Sequence, residues 1–180
     1  MVSGEDAGAP VACEKVGLDY FDAAPVRFTA SETIAATPEQ VFAVFLDAEA
    51  WTKWVFAITR VEWTSPFPLE VGSTRTVHMR GGLAAYEEFI AWEPGVRMAF
   101  RFNEMSKAAA AAFGEDYQVT DLGDGRCRVD WVMAMTPKGS SRYTMPVMKP
   151  LMGAFIRKTL ANFRKYVEAH PPAVTGEATT

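Results

Sequence analysis

The strongest constraint in this chain is an imbalance between sheet and helix. From residue 57 to residue 136 it reads as six strand-length segments in succession: "AITRVEWTS", "STRTVHMR", "AAYEEFIAWE", "VRMAFRFNE", "FGEDYQVTD" and "RCRVDWVMAMT". Turn signals separate them, namely "SPFPLEVG", "GG", "EPG" and "LGDG", and the last is a strong hairpin signal. Only one long helical pattern follows, "MPVMKPLMGAFIRKTLANFRKYVEAH" (residues 145–170). It places Met148, Met152, Phe155, Thr159, Phe163 and Tyr166 along one stripe, with Lys149, Arg157, Lys158, Arg164 and Lys165 largely elsewhere. Pro146 and Pro150 suit its first turns better than its interior. An antiparallel meander needs one face covered, and a single helix must do the covering. A strongly curved sheet around that helix is the economical solution, and it leaves room for a ligand between the two.

Ahead of the meander, "RFTASETIAA" (27–36) predicts a first strand. In "TPEQVFAVFLD" (37–47), Thr37 is an N-cap, Pro38 fits the first helical position and Gln40 completes a capping box. Val41, Phe42, Phe45 and Leu46 then share one helix face. Asp47 is placed to cap a second short helix, "AEAWTKW", on which Trp51 and Trp54 lie on one side. Residues 1–15 and 171–180 read as flexible tails, leaving a single domain over 16–170. Within it, Leu18, Tyr20, Phe21 and Phe28 mark residues 16–28 as an arm able to pack on that domain.

Bulk properties exclude several classes. Hydrophobic residues make up 49% of the 180 positions, enough for a sizeable core. A formal charge of −4 argues against nucleic acid as a partner. Two cysteines, Cys13 and Cys127, make no disulfide framework, and two histidines, His78 and His170, make no His-rich metal site. No cofactor motif or phosphate loop is expected, and neither a signal peptide nor a membrane span. These readings predict a cytoplasmic protein, monomeric or homodimeric.

With the order of elements in place, the text of the chain resembles the polyketide cyclase/dehydrase and lipid transport superfamily, also called START-like or SRPBCC proteins. The resemblance rests on "ATPEQVFAVFLDAEAWTKW", "ITRVEWTS", "VGSTRTV", "FIAWEPGVRMAFRF", "DLGDGRCRVDW" and the final helix, and spans Pro25 to His170. It implies an α+β helix-grip fold: a curved antiparallel sheet of about seven strands wrapped around a long C-terminal helix, with two short helices after the first strand. It implies a loop at "RGGL" of the kind that can gate a cavity. Members bind lipids, hormones or polyketides, and some catalyse cyclisation or dehydration, so fold alone does not fix activity.

Strand alternation predicts which side chains would face such a cavity. In the last strand Cys127, Val129, Trp131, Met133 and Met135 share the apolar face. In the strand before, Phe113, Glu115, Tyr117 and Val119 do. Val96, Met98, Phe100 and Phe102 face inward from "VRMAFRF"; Tyr86, Glu88, Ile90 and Trp92 from "YEEFIAW"; Arg75, Val77 and Met79 from "RTVHM". With Met152 and Phe155 from the long helix, the candidate ligand-binding set is Arg75, Val77, Met79, Tyr86, Glu88, Trp92, Phe100, Glu115, Tyr117, Trp131, Met133, Met152 and Phe155. Each apolar member equally fits plain core packing, while the methionines suit an adaptable pocket.

The polar members carry the information. An inward carboxylate costs several kcal/mol unless it meets a partner, so Glu88 and Glu115 need one, and Arg75 is the nearest candidate. A Glu–Arg pair beside Tyr86 and Tyr117 would give an apolar cavity a polar end; a purely structural salt bridge fits the same residues. The leading expectation is binding of a small hydrophobic molecule: a lipid, polyketide or aromatic metabolite. Two alternatives stand beside it. One is a cyclase or dehydratase using an inward Glu with Tyr or Arg. The other is an interaction module whose cavity is lost. Trp51, Trp54 and Trp63 are expected to pack the short helices on the sheet, with Trp54 or Trp63 reaching one end of the cavity.

Overall fold

The computed structural model describes residues 9–107 and 110–172. A two-residue strand, β1 (Val11–Ala12), and a helical turn, α1 (Tyr20–Ala23), precede β2 (Val26–Ile34), α2 (Pro38–Leu46) and α3 (Trp51–Trp54). The meander follows as β3 (Ile58–Trp63), β4 (Thr74–Met79), β5 (Leu83–Glu93), β6 (Arg97–Met105), β7 (Ala110–Gly123) and β8 (Arg126–Pro137), and α4 (Ser141–Ala169) closes the chain. The strands form one antiparallel sheet in the order β2-β8-β7-β6-β5-β4-β3, with β1 added on β6. This is the helix-grip arrangement, with α4 packed across the concave face.

Local chemistry explains the elements. Thr37 accepts from the Gln40 backbone N–H while Gln40 accepts from that of Thr37, the anticipated capping box at the start of α2. At the other end of α2 two tryptophans donate to carbonyls that lack helical partners: Trp51 Nε1 to Phe45 O at 2.9 Å and Trp63 Nε1 to Leu46 O at 3.1 Å. Trp54 packs edge-on to Phe163 of α4. The three tryptophans thus lock α2 and α3 to sheet and helix. The second short helix begins later than expected: Asp47 caps a turn by accepting from Glu49 N, and α3 starts at Trp51. The β7–β8 connection is the predicted hairpin, with Gly123, Asp124 and Gly125 all at positive φ.

The long helix differs from its sequence reading at its N-terminal end. It starts at Ser141, so Pro146 and Pro150 lie inside it rather than in its first turn. Its buried stripe is Ile156, Thr159, Leu160, Phe163 and Val167; Met148 is exposed. Phe163 stacks on Phe45 with ring centroids 5.0 Å apart, joining α4 to α2.

The arm packs on the convex face. Phe21 is buried against Ala91, Ala99 and Ala134, and a Cβ at Gly114 would come within 3.1 Å of its ring. Small residues in adjacent strands therefore make the seat for this one aromatic. Tyr20 hydroxyl pairs with Thr136 at 2.8 Å, and Arg101 donates to Val16 O at 3.0 Å. Residues 11–14, expected within a tail, are ordered by backbone pairing to β6 and β7. The rest of both expected tails lies largely outside the described residues.

Candidate functional site

The concave face and α4 enclose a cavity of about 200 Å³. Its floor is aromatic and thioether: Phe100, Phe113, Tyr117, Trp131 and Met133 all line it. Trp51 of α3 and Phe155 of α4 close it from above. At one end the lining residues Arg75, Tyr117 and Phe100 are fully buried. At the other, Val55, Ala57, Met79, Leu83 and Met105 are partly exposed. The cavity is therefore blind beneath Trp51 and opens between the α3–β3 loop, the β4–β5 turn and α4.

Its blind end is polar. Arg75, 1% exposed, donates from Nε to Glu87 Oε2 at 2.6 Å. Its guanidinium lies over the rings of Trp51 and Phe100, 4.1 and 4.5 Å from their centroids, which spreads the buried charge over π faces. Arg75 Nη1 is a buried donor with no hydrogen-bond partner among the described residues. The Trp131 indole N–H, which makes no hydrogen bond of good geometry among them, lies near enough to Glu115 to favour its carboxylate. Opposite, Tyr117 donates its hydroxyl to Glu115 Oε2 at 2.7 Å.

Two carboxyls and one guanidinium cannot all be charged cheaply in this space. Burial raises the Glu87 pKa, and the charge of Arg75 and its hydrogen bond pull it back. Glu115 makes no salt bridge among the described residues and feels the Arg75 charge only from a distance. Burial first, and the nearby Glu87 carboxylate second, push it up to about 7. The surface Glu115 retains faces the cavity it lines. Burial, then the Glu115 charge, raise Tyr117 well above its ordinary value. Both carboxyls are therefore held above their ordinary pKa values, Glu87 against the Arg75 guanidinium and Glu115 beside the Tyr117 hydroxyl, and near neutral pH Glu115 is balanced between its two forms.

Nine of the predicted residues line this cavity: Arg75, Val77, Met79, Phe100, Glu115, Tyr117, Trp131, Met133 and Phe155. Four do not. Tyr86 and Glu88 lie on the convex side. Glu88 accepts there from Arg101 Nη2 at 2.9 Å and Asn103 Nδ2 at 2.8 Å. Burial raises its pKa, but these hydrogen bonds outweigh that and hold it below the ordinary value. Trp92 does face inward, yet it packs on Phe42 and Phe89 away from the cavity. Met152 packs on the core beside the cavity.

The inward carboxylate of β5 is instead Glu87, and of the three clustered tryptophans the one that lines the cavity is Trp51, not Trp54 or Trp63. Trp63 reaches Arg75 from the side, with its ring centroid 5.5 Å from the guanidinium carbon. A usable signal for Glu87 was present. Counting outward from the turn Arg80-Gly81-Gly82 pairs residue 79 with 83 and residue 75 with 87, as observed.

His78 sits on the outer side with Glu62 at 3.0 Å and Arg60 at 3.1 Å. Burial pushes the Cys127 thiol up to about 11, unsuited to a nucleophile. Among the described residues no three His, Cys, Asp or Glu side chains are grouped to hold a metal ion.

The profile described as polyketide cyclase/dehydrase and lipid transport matches residues 25–168. The chain belongs to this family. A curated member, the uncharacterised protein Rv2574 of Mycobacterium tuberculosis, is 48% identical over 157 residues, covering 87% of this chain and 93% of that protein. Among solved structures, the ZhuI aromatase/cyclase from Streptomyces sp. R1128 superposes with a TM-score of 0.68 at 12% identity, covering 84% of this chain and 98% of that one. A START superfamily protein from Mycobacterium smegmatis gives 0.61 at 14% identity, covering 81% and 96%. At these identities the structural likeness speaks for the fold. Family and fold fit a hydrophobic-ligand-binding or polyketide cyclase-type protein.

Proposed function

We propose that this protein binds one small, mainly apolar molecule carrying an oxygen-bearing group, held in the cavity with that group toward Arg75 and Glu115. The observation that carries this reading is the pairing of an aromatic, methionine-lined space with one polar end. An unused core gap would be filled by apolar atoms. Here a buried guanidinium nitrogen with no partner among the described residues, a titrating carboxyl and a tyrosine hydroxyl border the space instead. The volume is below the roughly 300–1,000 Å³ of pockets for drug-sized ligands. It amounts to about seven waters' share of liquid volume, which suits a compact one- or two-ring compound. A ligand carboxylate would face Glu87 and Glu115, so the polar end favours a hydroxyl or ketone.

A second reading draws on Glu115 alone. A carboxyl that titrates near neutral pH is matched to general acid–base work. Beside Tyr117 it could exchange a proton with a bound ketone, as a cyclase or dehydratase requires. An interaction module without a cavity is disfavoured by the open volume.

Native mass spectrometry of freshly purified protein, with extraction of any adduct, is the test. Thermal shift and tryptophan fluorescence over a panel of hydroxy- and keto-aromatics accompany it, because Trp51 and Trp131 line the space. The expected result is a stoichiometric apolar adduct, or a fluorescence change saturating with one compound, abolished in Met133→Phe. A clean apo mass with no response across the panel would refute binding. Turnover that disappears in Glu115→Gln while binding persists would establish the catalytic reading.

A further inference from the structure

The first half of α4 departs from the rule that a helix faces its polar side to water. Tyr143, Val147 and Leu151 follow at four-residue spacing and are 70%, 81% and 62% exposed. The next residue of that row, Phe155, lines the cavity. Phe56 is 71% exposed, on the loop whose neighbours Val55 and Ala57 line the same opening. Single exposed apolar residues are ordinary, but a row leading to a cavity mouth needs an explanation.

The charges on this helix are as one-sided as its apolar residues. From residue 138 to residue 167 the chain holds no Asp or Glu, in a protein of formal charge −4. Arg142, Lys149, Arg157 and Lys158 are exposed there. Both outlying aromatics also carry an arginine. The Arg80 guanidinium lies 4.4 Å from the Phe56 ring centroid, and that of Arg142 lies 4.7 Å from the Tyr143 ring centroid.

From this we propose that the N-terminal half of α4, with Phe56, docks on the surface of an anionic lipid bilayer and turns the cavity mouth toward it. The apolar row supplies shallow insertion and the basic residues supply attraction to lipid headgroups. A bilayer suits this face better than a protein does. The apolar side chains stand on the helix's outward ridge, which fluid lipid accommodates without a matching groove. No helix among the described residues is long and apolar enough to span a membrane, so the association is peripheral. It does not depend on the cavity being occupied.

The test is flotation of the full chain with vesicles of equal parts phosphatidylglycerol and phosphatidylcholine, against phosphatidylcholine alone. Binding is expected to the anionic vesicles only, and to weaken with salt. Val147→Asp combined with Leu151→Asp should lower partitioning roughly tenfold or more with an unchanged melting temperature, since both side chains are exposed. Lys149→Gln should lower it about fivefold, and it decides the matter should the double variant unfold. No binding to anionic vesicles, or binding that neither set of substitutions changes, would overturn the proposal. Retention by an acidic protein without vesicle binding would do the same.

Discussion

Glu115→Gln separates burial of a carboxyl from its mere presence. Glutamine keeps an acceptor for the Tyr117 hydroxyl and removes the titration. In the unfolded chain Glu115 titrates near its ordinary 4.5; in the folded protein it titrates at about 7. Between those values the native state holds a proton that the unfolded state has released. Folding stability therefore falls as pH rises through this window, by about 1.4 kcal/mol per unit for a single group. The contribution is fully present below pH 4.5 and lost above 7. Across the window it amounts to about 3 kcal/mol, an upper figure because Glu115 keeps some accessible surface on the cavity, where screening lessens the penalty. Glutamine does not follow this slope, so the variant gains on the wild type as pH rises. Urea unfolding of both proteins from about pH 5 to pH 8 measures the difference, in which other titrating groups largely cancel. A relative gain of between about 1 and 3 kcal/mol is expected. Parallel profiles would refute the reasoning, since they would mean that Glu115 is ionised at low cost and the blind end is not a low-dielectric site.

Arg75→Met should cost about 3–5 kcal/mol in chemical denaturation because it strands Glu87 without its partner; adding Glu87→Gln should recover much of that loss. Phe21→Ala should cost about 3 kcal/mol by the same assay, because the arm's aromatic fills a seat shaped by Gly114 and three alanines. Met133→Phe should preserve or raise the melting temperature while abolishing the fluorescence response to any aromatic ligand, by filling the cavity. Thr37→Ala should cost about 1 kcal/mol, seen as a lower denaturation midpoint, through loss of the capping box.

The fold was legible because its signals are local and agree with one another. The capping box at Thr37, the hairpin at "LGDG" and the single long amphipathic pattern each fix one element, and their order leaves few topologies. The inward faces of β7 and β8 were equally legible, since Cys127, Val129 and Trp131 alternate with Arg128 and Asp130, and the ladder runs without a slip from Ala112 opposite Thr136 to Asp121 opposite Cys127. In β5 the same argument failed for two physical reasons. "YEEF" carries a glutamate on each face, so polarity does not tell in from out. The ladder between β5 and β6 also slips twice, between Tyr86 and Glu87 and between Phe89 and Ala91. A bulge reverses parity, which is why a count that places Trp92 inward also places Glu88 inward while the structure turns it outward.

That error is instructive about the site, because the two glutamates differ only in what meets them. Glu88 finds Arg101 and Asn103 at a part-exposed surface and is held ionised. Glu87 finds Arg75 in the interior, and burial first, with the Glu87 charge second, biases Glu115 toward its protonated form against the opposing pull of Arg75. Arg75 is thus engaged through Nε, and the titrating group left poised to respond to a ligand is Glu115. A ligand that donates a hydrogen bond to Glu115 would favour its carboxylate, whereas one that only accepts would favour its acid. The pH dependence of binding therefore reports the ligand's polarity: affinity rising as pH rises through about 7 marks a donor such as a phenol, and affinity falling marks a ketone. Affinity that is flat across this range, in a protein whose stability does respond to Glu115, would place the ligand's polar group away from the blind end and refute the orientation proposed for it.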